Sequence, residues 1–326
     1  MRYTAAEKLA FIRLVDGSDL SVKATLKKLG IHKGTFYKWY EKYLQHGPDG
    51  LQNNRSSHRQ IWNRIPEAEK DRVVEIALDK EDYTARELAW YITDHHGTYI
   101  SESSVYRILR QRGLLTAPAH IVMSASSEFK DKTVRPNQMW QTDFTYFFII
   151  GWGWYYLSTV LDDHSRFIVA WELCPGMKAE DAESTVRKAL AFTKLPKDRR
   201  PKLLSDNGSS YIAHEFKAFL KDENITPVHG RALHPQTQGK IERYHRTMKN
   251  VVKLDHYYSP EELKRALEKF VKHYNQNRYH ESLKNCTPAQ VYYHQAAAVL
   301  EKRKRTKVRT LRKRKAQNRK AMTKRE

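Results

Sequence analysis

The 326-residue sequence contains two cysteines, 37 acidic residues against 59 lysines and arginines, and no long run of apolar side chains. Each shortage excludes something. Cys174 and Cys286 are too few and too far apart for a disulfide framework, so a reducing compartment is the expected setting. No window approaches the roughly 18 unbroken apolar residues of a membrane span. The opening MRYTAAEKLAFIRLV also has no apolar stretch of the kind a signal peptide needs. A soluble, cytoplasmic protein without a membrane partner is expected. The shortage of acid leaves a formal charge of +22. Such an excess attracts polyphosphate through counterion release, which makes nucleic acid the leading partner. Charge alone fits a ribosomal protein, a nucleoid protein or a basic enzyme equally well.

With 40% apolar and 11% aromatic residues, the chain can bury more than one core. Its first third reads as short helices. Thr4 with Glu7 forms a capping box before Leu9, Ile12 and Leu14, and Ser21 is placed as a cap before Val22, Leu26 and Leu29, with Gly30 as the stop. KGTFYKWYEKY follows after a short turn, so helix, turn and third helix read as a helix-turn-helix over 1–52. Thr35, Tyr37 and Lys38 lie beside the core residues Phe36 and Trp39, as DNA-contacting positions. After the polar break NNRSSHRQ the pattern returns over 61–115, with Pro66 opening a helix and a second capping box at Thr84 and Glu87. A shift of 69 aligns Ile31 with Ile100, Thr35 with Ser104, Tyr37 with Tyr106 and Lys38 with Arg107. The second trio is assigned the same DNA-binding role, and basic helical bundles without that role are the alternative.

Residues 116–136 have little periodicity and two prolines, and read as a linker. From 137 the period changes to two. MWQTDFTYFFI, WYYLSTVLDD and RFIVAWEL are β-branched and aromatic, separated by hairpin loops, and predict three antiparallel strands. A helix, the run KLLSDNGSSY, a second helix, the strand TPVHG and the loop RALHPQTQ come next. Strands followed by helix–strand alternation predict an α/β domain over 137–298 with a mixed five-stranded sheet. SPEELKRALEKFVKHYNQ is a further helix, with Leu263, Leu267, Phe270 and Tyr274 on one side. Trp140, Trp152, Trp154 and Trp171 are expected to pack the sheet. The basic tail, 299–326, holds over half of the excess charge. It is expected to stay disordered, to become helical on nucleic acid, or to act as a solvated tail.

Three carboxylates stand out within this domain: Asp143 inside the first strand, Asp206 after the fourth, and Glu242 in the basic helix GKIERYHRTMKN. Acids at two strand ends and on a nearby helix can converge at one sheet edge, where hard oxygen ligands suit Mg²⁺ or Mn²⁺. The cations around Glu242 are then expected to face DNA, with Arg246 and Lys249 on its side of the helix. Lys249 is placed against a backbone phosphate. Asp162 and Asp163 are read as turn residues, His164 and His234 as structural or solvent-facing, and Asn207 and Gly208 as a turn.

QTDFT, SDNGSSY and HPQTQGKIERYHRTMK, with 35 residues between Asp206 and Glu242 and a lysine seven past the glutamate, resemble the retroviral-integrase-like DDE transposases of bacterial insertion sequences. The resemblance runs from the helix-turn-helix units through HYNQNRYHESLKNCTPAQVYY. It implies an all-α tandem helix-turn-helix region followed by an RNase H-like catalytic core. It also implies two Mg²⁺ or Mn²⁺ ions on Asp143, Asp206 and Glu242, and strand transfer by a freed 3′-hydroxyl without a covalent enzyme intermediate. Element-end DNA, target DNA and at least a homodimer on DNA are the implied partners, and the bacterial nucleoid is the implied place. Retroviral integrases carry an amino-terminal His and Cys zinc site, but no cysteine precedes Cys174 here, so no zinc is expected. A nuclease of the same fold and an inactive DNA-binding regulator are the alternatives.

Overall fold

The computed structural model describes residues 3–18, 20–52, 62–114, 133–229, 239–252 and 256–323. The loop RALHPQTQ with His234, the break NNRSSHRQ and most of the linker lie outside them. The chain divides into two compact units, Met1–Arg64 with Arg314–Glu326, and Ile65–Lys313.

The first unit contains α1 (Ala5–Asp16), α2 (Val22–Lys28) and α3 (Lys33–His46). Thr4 and Glu7 cap α1 reciprocally, whereas Ser21 precedes α2 without a side-chain capping bond. Gly30 has φ +66°, the left-handed conformation that stops α2 at no steric cost. Ile12, Val15, Leu26, Ile31, Phe36 and Leu51 form the core. Leu14, expected on the apolar face, is 55% exposed. The buried stripe of α1 is instead Lys8, Ile12 and Val15, spaced i, i+4, i+7, and the Lys8 ammonium ends on the Leu51 carbonyl at 2.9 Å.

The second unit opens with α4 (Glu67–Asp79), α5 (Ala85–His95) and α6 (Glu102–Gln111) around Val73, Leu88, Ile92, Ile100, Val105 and Ile108. Lys33 and Glu102, which start α3 and α6, differ by the same 69 positions as the sequence shift, and Ile31 and Ile100 are both buried. Its sheet comprises β1 (Met139–Ile149), β2 (Gly153–Asp162), β3 (Ile168–Cys174), β4 (Lys202–Ser205) and β5 (Pro227–His229), in the order β3-β2-β1-β4-β5. The first three strands pair antiparallel, while β4 pairs parallel with both β1 and β5. This is the expected mixed sheet.

Both faces of the sheet are covered. On one, Trp140, Val160 and Leu203 pack against α7 (Ala179–Thr193), α8 (Ser209–Ile212) and α9 (His214–Asp222). On the other, Phe147, Ile149, Leu157 and Leu161 meet α10 (Gly239–Val252) and α11 (Pro260–Gln276). Leu263, Leu267, Phe270 and Tyr274 are the buried stripe of α11. Trp140 is fully buried, but Trp152 and Trp154 are 59% and 53% exposed, because the β1–β2 hairpin runs past the helices that cover the rest of the sheet. Trp154 packs edge-on against Tyr146 and Phe148. After α12 (Pro288–Tyr292), the basic tail forms one long helix, α13 (Ala296–Thr323). Part of this helix is docked on protein, through Arg303 on Asp94 and Thr310 on Tyr99, so that part is not the disordered or solvated tail that composition allows. No helix among the described residues is long and apolar enough to cross a membrane.

Candidate active site

Asp143 lies in β1 opposite Thr159 of β2, on the side that faces α10. One carboxylate oxygen accepts the Phe144 backbone N–H at 2.9 Å, and the other lies 3.3 Å from His245 Nδ1 of α10. Its side chain is 21% exposed, so it is oriented yet reachable. Asp206 follows β4 in an exposed turn, where its Oδ1 accepts the Gly208 N–H at 2.9 Å. The parallel ladder pairs Met139 with Lys202, Trp140 with Leu203 and Gln141 with Leu204. The ladder ends at Gln141 and Leu204, so Asp143 lies two residues further along β1 and Asp206 two residues further along the chain, just past the end of β4, toward the same end of the sheet. Both carboxylates also act on one buried phenol. Burial holds Tyr211 far above the usual range, and Asp143 and Asp206 push it further.

Glu242 sits exposed in the first turn of α10, at the positive end of the helix dipole. His245, three residues on, is buried and touches Asp143, so Glu242 stands one turn from that contact. The start of α10 is tied to the sheet by side chains. The Gln141 carbonyl oxygen accepts the Ile241 N–H at 3.1 Å, satisfying a donor that the first turn leaves open. The Gln141 amide donates to Asp163 at 2.7 Å, and Lys240 Nζ lies 2.6 Å from the other Asp163 oxygen. Thr133 and Arg166 complete the cluster, donating to the Asp163 carboxylate and carbonyl respectively.

The basic helix therefore differs from expectation. Lys240 does not face DNA; it is drawn inward onto Asp163, whose side chain is 2% exposed. Burial pushes the Asp163 carboxyl up, but Lys240 and the other donors outweigh it and hold it below the ordinary value. His245 is likewise inside. Arg246 is exposed, and Lys249, half-buried, lies with Nζ 4.5 Å from the centre of the Tyr146 ring. Asp162 serves its turn as expected, accepting from Ser165 N–H and hydroxyl, and it also accepts the Asn137 N–H. The Asp163–Lys240 pair escapes sequence reading because two residues 77 positions apart leave no local pattern.

Among the described residues no group of three or more His, Cys, Asp or Glu side chains is close enough to hold a metal ion. The chemistry of the donors still suits a hard cation: Asp143, Asp206 and Glu242 offer only carboxylate oxygen, partly or fully open to solvent. Of the DNA-contacting candidates, Thr35, Tyr37 and Lys38 are exposed on α3. Arg107 is exposed on α6 and Tyr106 half-buried, while Ser104 is occupied within the cap, with its hydroxyl 2.9 Å from that of Ser101.

Family models of the integrase core domain match residues 133–235 and 223–288. A helix-turn-helix model matches 7–59 and a homeodomain-like model matches 35–109. Among curated proteins, transposase InsK of insertion sequence element IS150 from Escherichia coli K12 is 30% identical over 48% of this chain and 55% of its own length. Transposase InsF of insertion sequence IS3A from the same organism is 36% identical over 28% of this chain and 30% of its own. The matches thus span about half or less of those curated relatives. A solved structure of the HTLV-2 integrase catalytic core domain in complex with magnesium aligns with 49% of this chain and 98% of its own, at 21% identity and a TM-score of 0.40. Residues 133–288 thus match the integrase core domain and residues 7–109 helix-turn-helix domains, and the chain is similar to transposases of bacterial insertion sequences over part of their length.

Proposed function

We propose that this chain binds the ends of a mobile DNA element, nicks them and joins the freed 3′-hydroxyl to DNA, with Asp143, Asp206 and Glu242 holding two Mg²⁺ or Mn²⁺ ions. The observation that supports this most is the parallel β1–β4 pairing, beyond whose end Asp143 and Asp206 both follow, while α10 is tied to β1 through Gln141 beside Glu242. Ions bound there supply charge neutralisation and Lewis-acid assistance to the attacking and leaving oxygens of an in-line displacement.

The chain's own residues do the positioning. Phe144 N–H and His245 orient Asp143, and Gly208 N–H orients Asp206. Glu242 stands in the first turn of α10, at the positive end of its dipole. Arg246 and Lys249, further along the same helix, lie where phosphates beside the scissile bond would pass. Thr35, Tyr37 and Lys38 on α3, with Tyr106 and Arg107 on α6, are the element-end readers, and Ser104 supports α6 from its cap. Pairing two ends in one reaction calls for at least two subunits, acting on the DNA of a bacterial cytoplasm.

The test is joining of a 3′-hydroxyl end to a second duplex in vitro, with Mg²⁺ or Mn²⁺. Asp143→Asn, Asp206→Asn and Glu242→Gln are each expected to abolish joining while leaving end binding intact. Substantial joining by any one of them overturns the site. Cleavage without joining by the wild type makes the chain a nuclease instead.

A further inference from the structure

We infer that the basic helix α13, where it belongs to the second unit, is a docked duplex-DNA clamp that extends the phosphate-binding surface of the α4–α6 helical unit. This rests on the reading of the chain as a DNA-acting protein, and it assigns a role to the segment for which the sequence left three fates open.

The face of α13 that docks is polar. Arg303, Thr306 and Thr310 are buried at spacings of three and four, one side of a helix with no apolar stripe behind it. Arg303 supplies most of the hold. Its Nε and Nη2 reach the two oxygens of Asp94 in α5 at 2.8 and 2.7 Å, a planar bidentate pair. Its remaining donors meet the Lys284 and Asn285 carbonyls, and its guanidinium lies 4.6 Å from the Trp90 ring centre. Thr310 accepts the Tyr99 N–H at 3.0 Å, and Arg309 donates to the Gly97 carbonyl at 3.1 Å. Gly97 and Tyr99 belong to the turn between α5 and α6, immediately before Ser101 caps α6.

That address gives the helix its function. In a helix-turn-helix the start of the second helix approaches the bases and the surrounding elements straddle the phosphates. α13 passes this same turn. The exposed residues Lys302, Arg305, Arg312 and Lys313, together with Arg309, follow the i, i+3, i+7, i+10, i+11 pattern of a single helical flank. At 1.5 Å per residue that flank runs about 17 Å, which matches roughly five base pairs of duplex at 3.4 Å each. Within α13 Glu301, paired with Arg305 at 3.2 Å, is the one acidic residue. A polar seam also explains why the helix is so basic: a face built to meet phosphate has no use for apolar residues, so docking falls to hydrogen bonds and one buried ion pair.

The test uses the full chain, without divalent metal, and a fluorescein-labelled duplex of arbitrary sequence about three helical turns long, with affinity followed against salt. The combined variant Lys302→Gln, Arg305→Gln, Arg312→Gln and Lys313→Gln is expected to flatten the slope of log K against log salt by up to about 3 to 4, at about 0.9 per phosphate contact. Asp94→Ala keeps every one of those cations but removes the partner of Arg303, and it is expected to weaken binding and flatten the slope as well. Thr310→Val, which removes the acceptor for Tyr99, is the second undocking variant should Asp94→Ala fail to fold. An unchanged slope in the combined variant overturns the inference. So does a flattened slope there with no change on undocking, since that result describes an untethered polycation. Because binding is read without chemistry, neither result bears on strand joining, which is scored separately.

Discussion

Gly208 shows how narrow the tolerance around the proposed ligands is. Its φ of −60° is open to any residue, so conformational freedom is not the reason for glycine there. The constraint is space: a Cβ added at Gly208 would lie 2.9 Å from Asp206 Oδ1, the same oxygen that accepts the Gly208 N–H. Gly208→Ala must therefore push the carboxylate aside. Relieving that contact takes a shift of a few tenths of an ångström, smaller than the displacement near 1 Å that costs on the order of 10²-fold in rate, so strand joining is expected to fall by less than that factor while the melting temperature stays nearly constant. Joining assays and thermal melts on the same preparation check it. At this scale the sequence was legible for the elements that carry the three acids, with Asp143 in β1, Asp206 after β4 and Glu242 on α10, while choosing them among 37 acids rested on the family resemblance. It was opaque for His245, whose contact with Asp143 depends on how α10 lies against β1.

Among the elements, α10 depends most on distant partners. Its first turn hangs on Gln141, Asp163 and Lys240, contributed by β1, the β2–β3 turn and the helix itself. Removing one partner of a buried pair leaves an uncompensated charge, which costs about 3–5 kcal/mol. Lys240→Met is expected to destabilise the second unit by that order and to impair joining through loss of Glu242's placement. The double variant Lys240→Met with Asp163→Asn should recover part of the stability, because the stranded charge is gone. Chemical denaturation and joining assays read the two effects separately, and equal stability of single and double variants would count against the buried Asp163–Lys240 pair as a hold on α10. Elements with a clean period, such as α11 and the β1–β2–β3 meander, follow from alternation and capping. α13 did not: its charge pattern argued for a tail, and only Asp94 and the α5–α6 turn, some two hundred residues earlier, give it a seat.

For the molecule as a whole, charge sets the pH response. His280 is half-buried with its Nε2 out of reach of solvent, near Arg278, Arg166 and Arg86, and desolvation first, then those cations, lower its imidazole to about 3. The fold therefore keeps it neutral. In the unfolded chain it takes a proton near 6.5, so between those values the unfolded state binds more protons and stability falls as the pH falls. The contribution is complete above 6.5 and is lost toward 3. His280→Gln is expected to reduce the pH slope of stability in that window by up to about 1.4 kcal/mol per pH unit, as read from denaturant titrations at several pH values. An unaltered slope would mean the ring is protonated in the folded protein. The long carboxy-terminal helix contributes residues to both units. Heat capacity changes on unfolding come chiefly from wetting apolar surface, and the Arg303–Thr306–Thr310 side offers little. Detachment of the helix from its seat would pass almost silently through a scanning calorimeter, and an intact melting peak is no guarantee that the clamp is closed.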